Sequence, residues 1–205
     1  MNASAFYDVL VIGGGASGLA AAITAARVDK RVCVVERDVA CGLKLLATGN
    51  GRCNLSNESI DIRRYNRPAF VESIMGPQPE QDLESFFSSL GIKTIREEGR
   101  LYPRSLRAES VRDALLNACE RLGITLLCGT NVIAAHKASE GWTLQIDRPA
   151  HVLKPKKHGD RKTELRSLRK ALADTPRTSD ALQARAVVIA TGGNPTGIAR
   201  CLAFP

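Results

Sequence analysis

The sequence is poor in aromatic residues, which make up 4% of its 205 residues, and it contains three histidines and no long hydrophobic run. A membrane-spanning helix needs about 20 consecutive apolar residues, so we expect no membrane partner. The first residues, MNASAFYD, do not combine a basic start with an apolar stretch as secretion signals do. We therefore expect a cytoplasmic protein.

Zinc-binding cysteine patterns are missing as well. The six cysteines include no C-x-x-C pair, and no histidine stands at a suitable spacing from them. Cys33, Cys119 and Cys128 instead lie within apolar patterns. We expect the cysteines to be reduced and mostly structural, and we expect no metal site.

The positive charge is concentrated in one segment. The formal net charge of the chain is +8, and residues 148–177 hold ten lysines or arginines against three acidic residues. Residues 148–182 show little apolar periodicity, so we expect them to form a solvated, flexible insertion. Aromatic residues that could stack on bases are missing from this insertion, so we do not expect a nucleic-acid partner.

Residues 9–37, VLVIGGGASGLAAAITAARVDKRVCVVER, show an apolar run of strand type, a glycine turn, a helix-forming run and a second apolar run. Gly13, Gly15 and Gly18 have the G-x-G-x-x-G spacing. In that motif the first glycine makes a tight turn, the second lets the backbone approach a pyrophosphate, and the third lets helix and strand pack closely. The helix amino terminus, at Ala16 and Ser17, then faces the phosphates. The pattern predicts a dinucleotide site.

An acidic residue ends the second apolar run. Glu36 stands close to the offset of about 20 residues at which a carboxylate binds the ribose hydroxyls, and Arg37, which follows it, is included in the predicted site. A carboxylate at this position would repel the 2′-phosphate of NADP. The expected dinucleotide is therefore FAD or NAD.

Apolar runs further along the chain predict the rest of the fold. We expect parallel strands at 9–12, 31–35, 124–128 and 186–190, helices at 19–26, 83–90 and 111–122, two short strands within 92–103, and a hairpin of residues 131–135 and 142–147 laid on the sheet. The expected fold class is α/β: a Rossmann-like domain with a parallel sheet, helices on both faces and an antiparallel hairpin. Its expected bounds are 1–147 and 183–205, with 148–182 as the insertion.

A glycine-rich stretch, ACGLKLLATGNGRCNLSN (residues 40–57), has little periodicity and is typical of a long ordered loop. Such loops inside compact domains are usually functional. Gly49, Gly51 and Arg52 could offer N–H groups and a guanidinium to a cofactor. A covering loop without a ligand is the alternative.

The segments VIGGGASGLAAA, KLLATGNGRCNLSN, EEGRLYPRS and VVIATGG together resemble a family of bacterial NAD(P)/FAD-dependent oxidoreductases. These are flavoproteins of the two-dinucleotide-domain type and include aminoacetone-oxidase-like and 3-dehydro-bile-acid-reductase-like proteins. The resemblance spans nearly the whole chain outside the basic segment. It implies that the dinucleotide is FAD, that NAD(P)H is a candidate electron donor and that the substrate is a small molecule.

The resemblance also implies further cofactor contacts, namely Lys44, Thr48, Gly49, Gly51, Arg52, Cys53 and Asn54 in the loop, the backbone of Val132 beside the adenine, and Thr191, Gly192 and Gly193 after the last strand. Leu43 departs from the family pattern, which has arginine there. The chain ends in NPTGIARCLAFP, where the family continues with Tyr-Pro and a glycine-rich run. Family members are longer, so we expect an amino-terminal portion whose site needs a missing carboxy-terminal segment or self-association.

The leading functional hypothesis is a FAD-dependent oxidoreductase. We assign no catalytic acid or base, because His136, His151 and His158 are expected to be structural or solvated, and Cys53 is expected to act through its backbone rather than as a redox thiol. Three alternatives stay open: a nicotinamide-only dehydrogenase, an RNA-associated flavoprotein that uses the basic segment, and an inactive nucleotide-binding remnant.

Overall fold

The computed structural model describes residues 6–151 and 160–193, and the predictions that fall on other residues, including His158 and residues 194–205, lie outside it. In chain order the elements are β1 (Phe6–Ile12), α1 (Ala16–Ala26), β2 (Val32–Val35), β3 (Ser56–Asn57), α2 (Pro68–Met75), α3 (Pro79–Ser89), β4 (Thr94–Glu97), β5 (Arg100–Pro103), α4 (Ala108–Arg121), β6 (Thr125–Leu127), β7 (Asn131–Ala138), β8 (Gly141–Pro149), α5 (Arg161–Asp174) and β9 (Arg177–Ile189). Two 3-10 segments, Leu43–Gly51 and Ile62–Arg64, complete the description.

The chain divides into two compact units. The first unit is formed by Met1–Gly42 and Cys119–Pro205, and the second unit by Leu43–Ala118. Within residues 6–151 and 160–193, no helix has the length and apolar character needed to cross a membrane.

The first unit contains a six-stranded sheet in the order β6-β2-β1-β9-β8-β7. The strands β6, β2, β1 and β9 are parallel, which confirms the predicted parallel core. The sequence places the hairpin of β7 and β8 on the sheet, but the structure joins it to the sheet edge. β8 pairs antiparallel with β9 from Trp142 to Pro149, so the hairpin extends the sheet instead of covering a face.

The central strands are buried on both faces, which explains why their sequences are continuously apolar. Leu10 in β1 and Val34 in β2 have no exposed surface. Helix α1 packs against these strands through Leu19 and Ile23, which are also fully buried. Each such side chain stabilises the fold by about 1.5 to 3 kcal/mol relative to an exposed one. The end of β1 and the start of α1 are thus rigidly supported.

The second unit has a three-stranded antiparallel sheet in the order β3-β5-β4. The hairpin of β4 and β5 turns at Glu98 and Gly99, which have φ values of 51° and 72°. Two consecutive residues with positive φ form the tight turn that favours glycine at its second position. The two short strands predicted within 92–103 are therefore confirmed.

The structure differs from the sequence expectation in the basic segment 148–182. β8 continues to Pro149, α5 occupies Arg161–Asp174, and β9 begins at Arg177. The expected boundaries at 147 and 183 therefore fall inside strands. Residues 152–159 lie outside the described chain.

Helix α5 forms because its few apolar residues recur at helical spacing. Leu165, Leu168 and Leu172 are half-buried along one face, while the basic residues cover the other faces. Asp160 caps the helix by accepting hydrogen bonds from the N–H groups of Lys162 and Thr163. A stripe of three leucines among many charges is a weak periodic signal, and sequence reasoning missed it.

Candidate functional site

At two positions of the glycine turn between β1 and α1, backbone atoms leave no room for a side chain. Gly13 has a φ of +108°, and a Cβ there would lie 2.4 Å from the carbonyl oxygen of Ala190. A Cβ on Gly18 would lie 1.9 Å from the carbonyl oxygen of Gly13. The first and third glycines of the motif therefore have the packing roles that the spacing predicts.

The second glycine of the motif stands at an open position. A Cβ on Gly15 would meet no atom within 4 Å in the described part of the chain, and the backbone there is extended, with φ −78° and ψ −171°. Gly15 is the N-cap of α1, and the next residues, Ala16 and Ser17, are exposed. The N–H groups of the first helical turn and the positive end of the helix dipole are thus available to a phosphate group.

Glu36 lies at the carboxyl end of β2 and is held by two backbone donors. The N–H of Gly14 donates to its Oε2 at 2.6 Å, and the N–H of Asp38 donates to its Oε1 at 2.8 Å. A carboxylate offers about four acceptor positions. Glu36 can therefore still accept hydrogen bonds from the hydroxyls of a ribose.

The end of β9 lies beside the glycine turn. The N–H of Ala190 donates to the carbonyl of Ile12 at 2.8 Å, and Thr191, Gly192 and Gly193 follow directly. The next strand in the sequence, β2, lies on one side of β1, and the later strand β9 lies on the other side of β1. In open parallel sheets, ligands bind outside the carboxyl ends of the strands at such a switch in direction. The structure brings the predicted residues of all three segments to this edge.

Two further predicted residues, Arg37 and Val132, are linked to Glu36 by short stretches of chain. Arg37 follows Glu36 and is exposed. Val132 is in β7, two residues after Thr130, whose N–H donates to the Glu36 carbonyl at 2.9 Å. The pairing of β7 with β8 shifts register between Val132 and Ala134. Val132 is thus connected to the Glu36 segment through a short stretch of backbone.

Sequence reasoning missed four residues that support Glu36 and the turn, namely Asp38, Arg169, Gly14 and Cys41. The carboxylate of Asp38 forms a bidentate pair with Arg169 of α5, at 3.0 and 2.6 Å. The Arg169 guanidinium holds the pKa of Asp38 below its usual range. Gly14 is packed against Cys41, since a Cβ on Gly14 would lie 2.4 Å from the Cys41 Sγ. The available signal for this contact was the middle glycine of the run Gly13–Gly15, a position that the motif does not require to be glycine.

In the second unit, the predicted loop is an ordered structure. The positive φ values of its turn belong to Gly49, Asn50, Gly51 and Cys53. The N–H of Cys53 donates to the carbonyl of Thr48 at 3.0 Å and closes the turn. Short side chains and glycine suit this run because larger residues rarely adopt such angles.

The predicted residues of this loop differ in exposure. The exposed ones are Lys44, Thr48, Gly49 and Asn54, whereas Gly51 and Arg52 are half-buried and Cys53 is buried. Burial raises the pKa of the Cys53 thiol, so this thiol stays protonated at neutral pH. This environment favours a backbone role for Cys53 over a nucleophilic one.

Arg52 is engaged within the second unit. Its guanidinium forms an ion pair with Glu97 of β4 and lies 4.2 Å from the ring centroid of Tyr102 in β5. Its Nε is buried and has no hydrogen-bond partner among the described residues. Arg52 therefore holds the loop against the small sheet, a role that its position in the sequence did not indicate.

The described residues offer no clear catalytic group. His136 and His151 are exposed, and no group of three or more His, Cys, Asp or Glu side chains in residues 6–151 and 160–193 could hold a metal ion. What the first unit does offer is an arrangement for binding a phosphate and a ribose.

Comparison with known proteins identifies the family. Residues 7–157 match the model of the HI0933-like protein Rossmann domain. The chain belongs to this family. The HI0933-like assignment agrees with the parallel sheet, the glycine turn and the acidic residue after β2.

Two curated relatives of this HI0933-like chain carry the names of enzymes. The 3-dehydro-bile acid delta(4,6)-reductase of Clostridium scindens is 39% identical over 141 residues, which are 67% of this chain and 34% of the relative. The ribosomal RNA dihydrouridine synthase of Escherichia coli is 27% identical over 147 residues, 69% of this chain and 36% of the relative. The first match confirms the predicted resemblance. The chain spans about a third of the length of these relatives.

Solved structures share the fold at low sequence identity. Thermovibrio ammonificans THI4 has a TM-score of 0.60 and 16% identity, over 95% of this chain and 60% of that one. The open conformation of a flavocytochrome c3 fumarate reductase has a TM-score of 0.57 and 17% identity, over 94% and 34%. These similarities confirm the predicted Rossmann-like α/β fold.

Proposed function

We propose that this HI0933-like domain binds FAD as part of a flavin-dependent oxidoreductase, with the ADP half of the cofactor at the glycine turn. The arrangement at the switch point between β1 and β9 carries the proposal. Backbone atoms leave no room for a side chain at Gly13 and Gly18, Gly15 is open at the start of α1, and the Glu36 carboxylate is held beside them.

The residues present fit a diphosphate and a ribose. The N–H of Gly14 is used by Glu36, so the N–H groups of Gly15, Ala16 and Ser17 are the ones proposed to bind the pyrophosphate. The remaining acceptor positions of Glu36 suit ribose hydroxyls and disfavour a 2′-phosphate. The TGNGRCN motif, which resembles that of flavoproteins, favours FAD over NAD.

The other predicted residues remain proposed cofactor contacts: Gly13, Gly18, Arg37, Lys44, Thr48, Gly49, Gly51, Arg52, Cys53, Asn54, Val132, Thr191, Gly192 and Gly193. Bound FAD would supply hydride transfer, while the protein supplies binding and orientation. A small-molecule substrate, NAD(P)H as electron donor and a cytoplasmic location are part of the proposal. Because the chain spans about a third of its curated relatives, we propose that catalysis needs structure outside this chain or a second copy of it.

The first prediction concerns Glu36. The Glu36→Ala variant should bind FAD on the order of 10- to 100-fold more weakly than the parent chain, because charge-assisted hydrogen bonds to the ribose contribute about 1.5 to 3 kcal/mol. Titration of FAD followed by flavin fluorescence gives both affinities. Circular dichroism should accompany it, since the variant also removes the acceptors of the Gly14 and Asp38 N–H groups.

The control for this experiment is Glu120→Ala, which removes an exposed glutamate from α4. This variant should bind FAD like the parent. Equal FAD affinity in folded Glu36→Ala and the parent would refute the assignment of Glu36 to the ribose, and failure of the parent chain to bind FAD would refute the proposed cofactor.

A second candidate function, RNA binding, is favoured by two observations. One curated relative is a ribosomal RNA dihydrouridine synthase. In this chain, α5 presents exposed Lys162, Arg166 and Lys170, which are spaced four residues apart and therefore share one face of the helix. We propose that this basic stripe, the side chains of residues 162, 166 and 170, contacts RNA phosphates in an RNA-modifying flavoprotein.

Replacing the three residues of the basic stripe by glutamate should strongly weaken salt-sensitive RNA binding. Three lost phosphate contacts should also reduce the slope of log affinity against log salt by about 2 to 3. Filter binding of a folded RNA at several salt concentrations measures both effects. A matched variant carries glutamate at the exposed Lys30, Lys93 and Lys137. Equal losses in both triple variants would show that net charge alone is responsible and would exclude the stripe.

A further inference from the structure

Two thiols in the first unit lie in contact. The Sγ atoms of Cys41 and Cys128 are 3.7 Å apart, although the residues are 87 positions apart in the chain. Cys128 directly follows β6, and Cys41 lies in the segment after β2. These strands are paired in parallel, with Val35 opposite Leu127. The two thiols therefore meet at the carboxyl ends of neighbouring strands.

The two thiols differ in their access to solvent. Cys41 is 2% exposed, and its neighbour Gly42 is tied to the glycine turn by a hydrogen bond from its N–H to the carbonyl of Gly14 at 2.7 Å. Cys128 is half-buried and lines a cavity of about 470 Å³ together with Val39 and Thr130. A small reagent that enters this cavity reaches Cys128 before Cys41.

We propose that Cys41 and Cys128 form a redox-sensitive pair that hydrogen peroxide converts to a disulfide. The Cys128 sulfur attacks one peroxide oxygen, the O–O bond breaks, and a sulfenic acid and one water are formed. The Cys41 sulfur then attacks the Cys128 sulfur. The S–S bond forms, the S–O bond breaks, and the leaving hydroxide takes the Cys41 proton as a second water. Two thiols lose two electrons and two protons, and one peroxide becomes two waters.

The surroundings of the pair support this order of events. The contact with Cys128 and burial raise the pKa of the Cys41 thiol, and the charge of Glu36 adds to the effect. Cys41 is therefore a poor first nucleophile and becomes the resolving residue once Cys128 has been oxidised. A disulfide has an S–S length of about 2.05 Å, so the sulfurs must approach each other. The cavity beside Cys128 leaves its side chain room to turn.

Closing this disulfide would join two parts of the first unit across a long stretch of chain. The segment between Cys41 and Cys128 contains all of the second unit, residues 43–118. Cross-links that close long loops restrict the unfolded chain most strongly. The oxidised protein is therefore expected to unfold at a higher urea concentration than the reduced protein.

Mass spectrometry of the wild-type chain tests the proposal directly. The reduced protein is treated with hydrogen peroxide, the remaining thiols are alkylated, and the tryptic peptides are analysed. We expect loss of two of the six thiols, one linked peptide pair containing Cys41 and Cys128, and a higher urea midpoint. Oxidation of Cys128 to the sulfinic acid with Cys41 still alkylated would overturn the proposal, as would a link from either residue to Cys119.

Matched variants separate the pair from its buried neighbour. Cys119 contributes to the electrostatic environment of Cys41 and is fully buried in α4. The Cys119→Ser variant should still form the link and show the rise in urea midpoint, whereas Cys128→Ser should show neither. A midpoint that rises equally in oxidised Cys128→Ser would show that another modification stabilises the chain and would refute the proposed bond.

Discussion

Replacing Gly15 by valine is expected to weaken FAD binding strongly while leaving the domain folded. The backbone of Gly15 has φ −78° and ψ −171°, an extended conformation that valine adopts readily. A Cβ at this position meets no atom within 4 Å of the described chain. The new side chain therefore fits the protein but occupies the space where the backbone is proposed to approach the pyrophosphate.

The expected loss of FAD affinity is on the order of 100-fold, which corresponds to about 2.7 kcal/mol. The free energy of unfolding should change by no more than about 1 kcal/mol, since valine is a poorer N-cap than glycine but restricts the unfolded chain. FAD titration and urea unfolding measure the two quantities. Thr24→Val, on the exposed side of the same helix, is the control and should change neither. Undiminished FAD affinity in Gly15→Val would contradict the proposed position of the pyrophosphate.

The strands of the parallel core were predictable because burial on both faces leaves a continuous apolar sequence. Leu10 and Val34 illustrate this, since each is completely buried in a central strand. Glycine turns were predictable for a related reason: the angles at Gly13 and Gly99 are ones that few other residues adopt. These signals are local, and the sequence displays them without knowledge of distant contacts.

The regular elements in the described parts of the basic segment were missed because they depend on partners that are distant in the chain. The start of β9 is exposed and polar, and it is held against β8 by ion pairs of Arg177 with Asp147 and of Arg148 with Asp180, at 2.5 and 2.7 Å. Charges on exposed strand positions look like a solvated loop when the pairing strand is unknown. A high surface charge therefore does not by itself indicate that a segment lacks helices and strands.

Some residues of the candidate site are likewise indicated by local sequence signals, whereas others depend on contacts between distant parts of the chain. The spacing of the three motif glycines and Glu36 follows from the motif alone. The bidentate pair of Asp38 with Arg169 joins residues 131 positions apart, and the contact of Cys41 with Cys128 joins residues 87 positions apart. No periodic pattern encodes such pairs. The first pair depends on the position of α5, and the second depends on the pairing of β2 with β6.

Replacing Gly13 by alanine is expected to destabilise the domain by about 3 kcal/mol or more, the largest effect on stability among these variants. Two costs combine at this position. Alanine must adopt a φ of +108°, which its Cβ disfavours. The same Cβ lies 2.4 Å from the Ala190 carbonyl oxygen and 2.8 Å from the carbonyl carbon. Both atoms belong to the backbone, so no flexible side chain can move aside.

The contact with Ala190 also explains why the structure has little freedom to relax. The N–H of Ala190 donates to the Ile12 carbonyl, and the N–H of Gly13 donates to the Val35 carbonyl, both at 2.8 Å. Moving either chain segment away from the new methyl group would stretch hydrogen bonds that join β1 to its neighbours. Urea unfolding of Gly13→Ala beside Gly15→Ala measures the effect with one chemical change at two positions. Gly15→Ala should remain within about 1 kcal/mol of the parent, and a Gly13→Ala protein of equal stability would show that the turn does not require glycine.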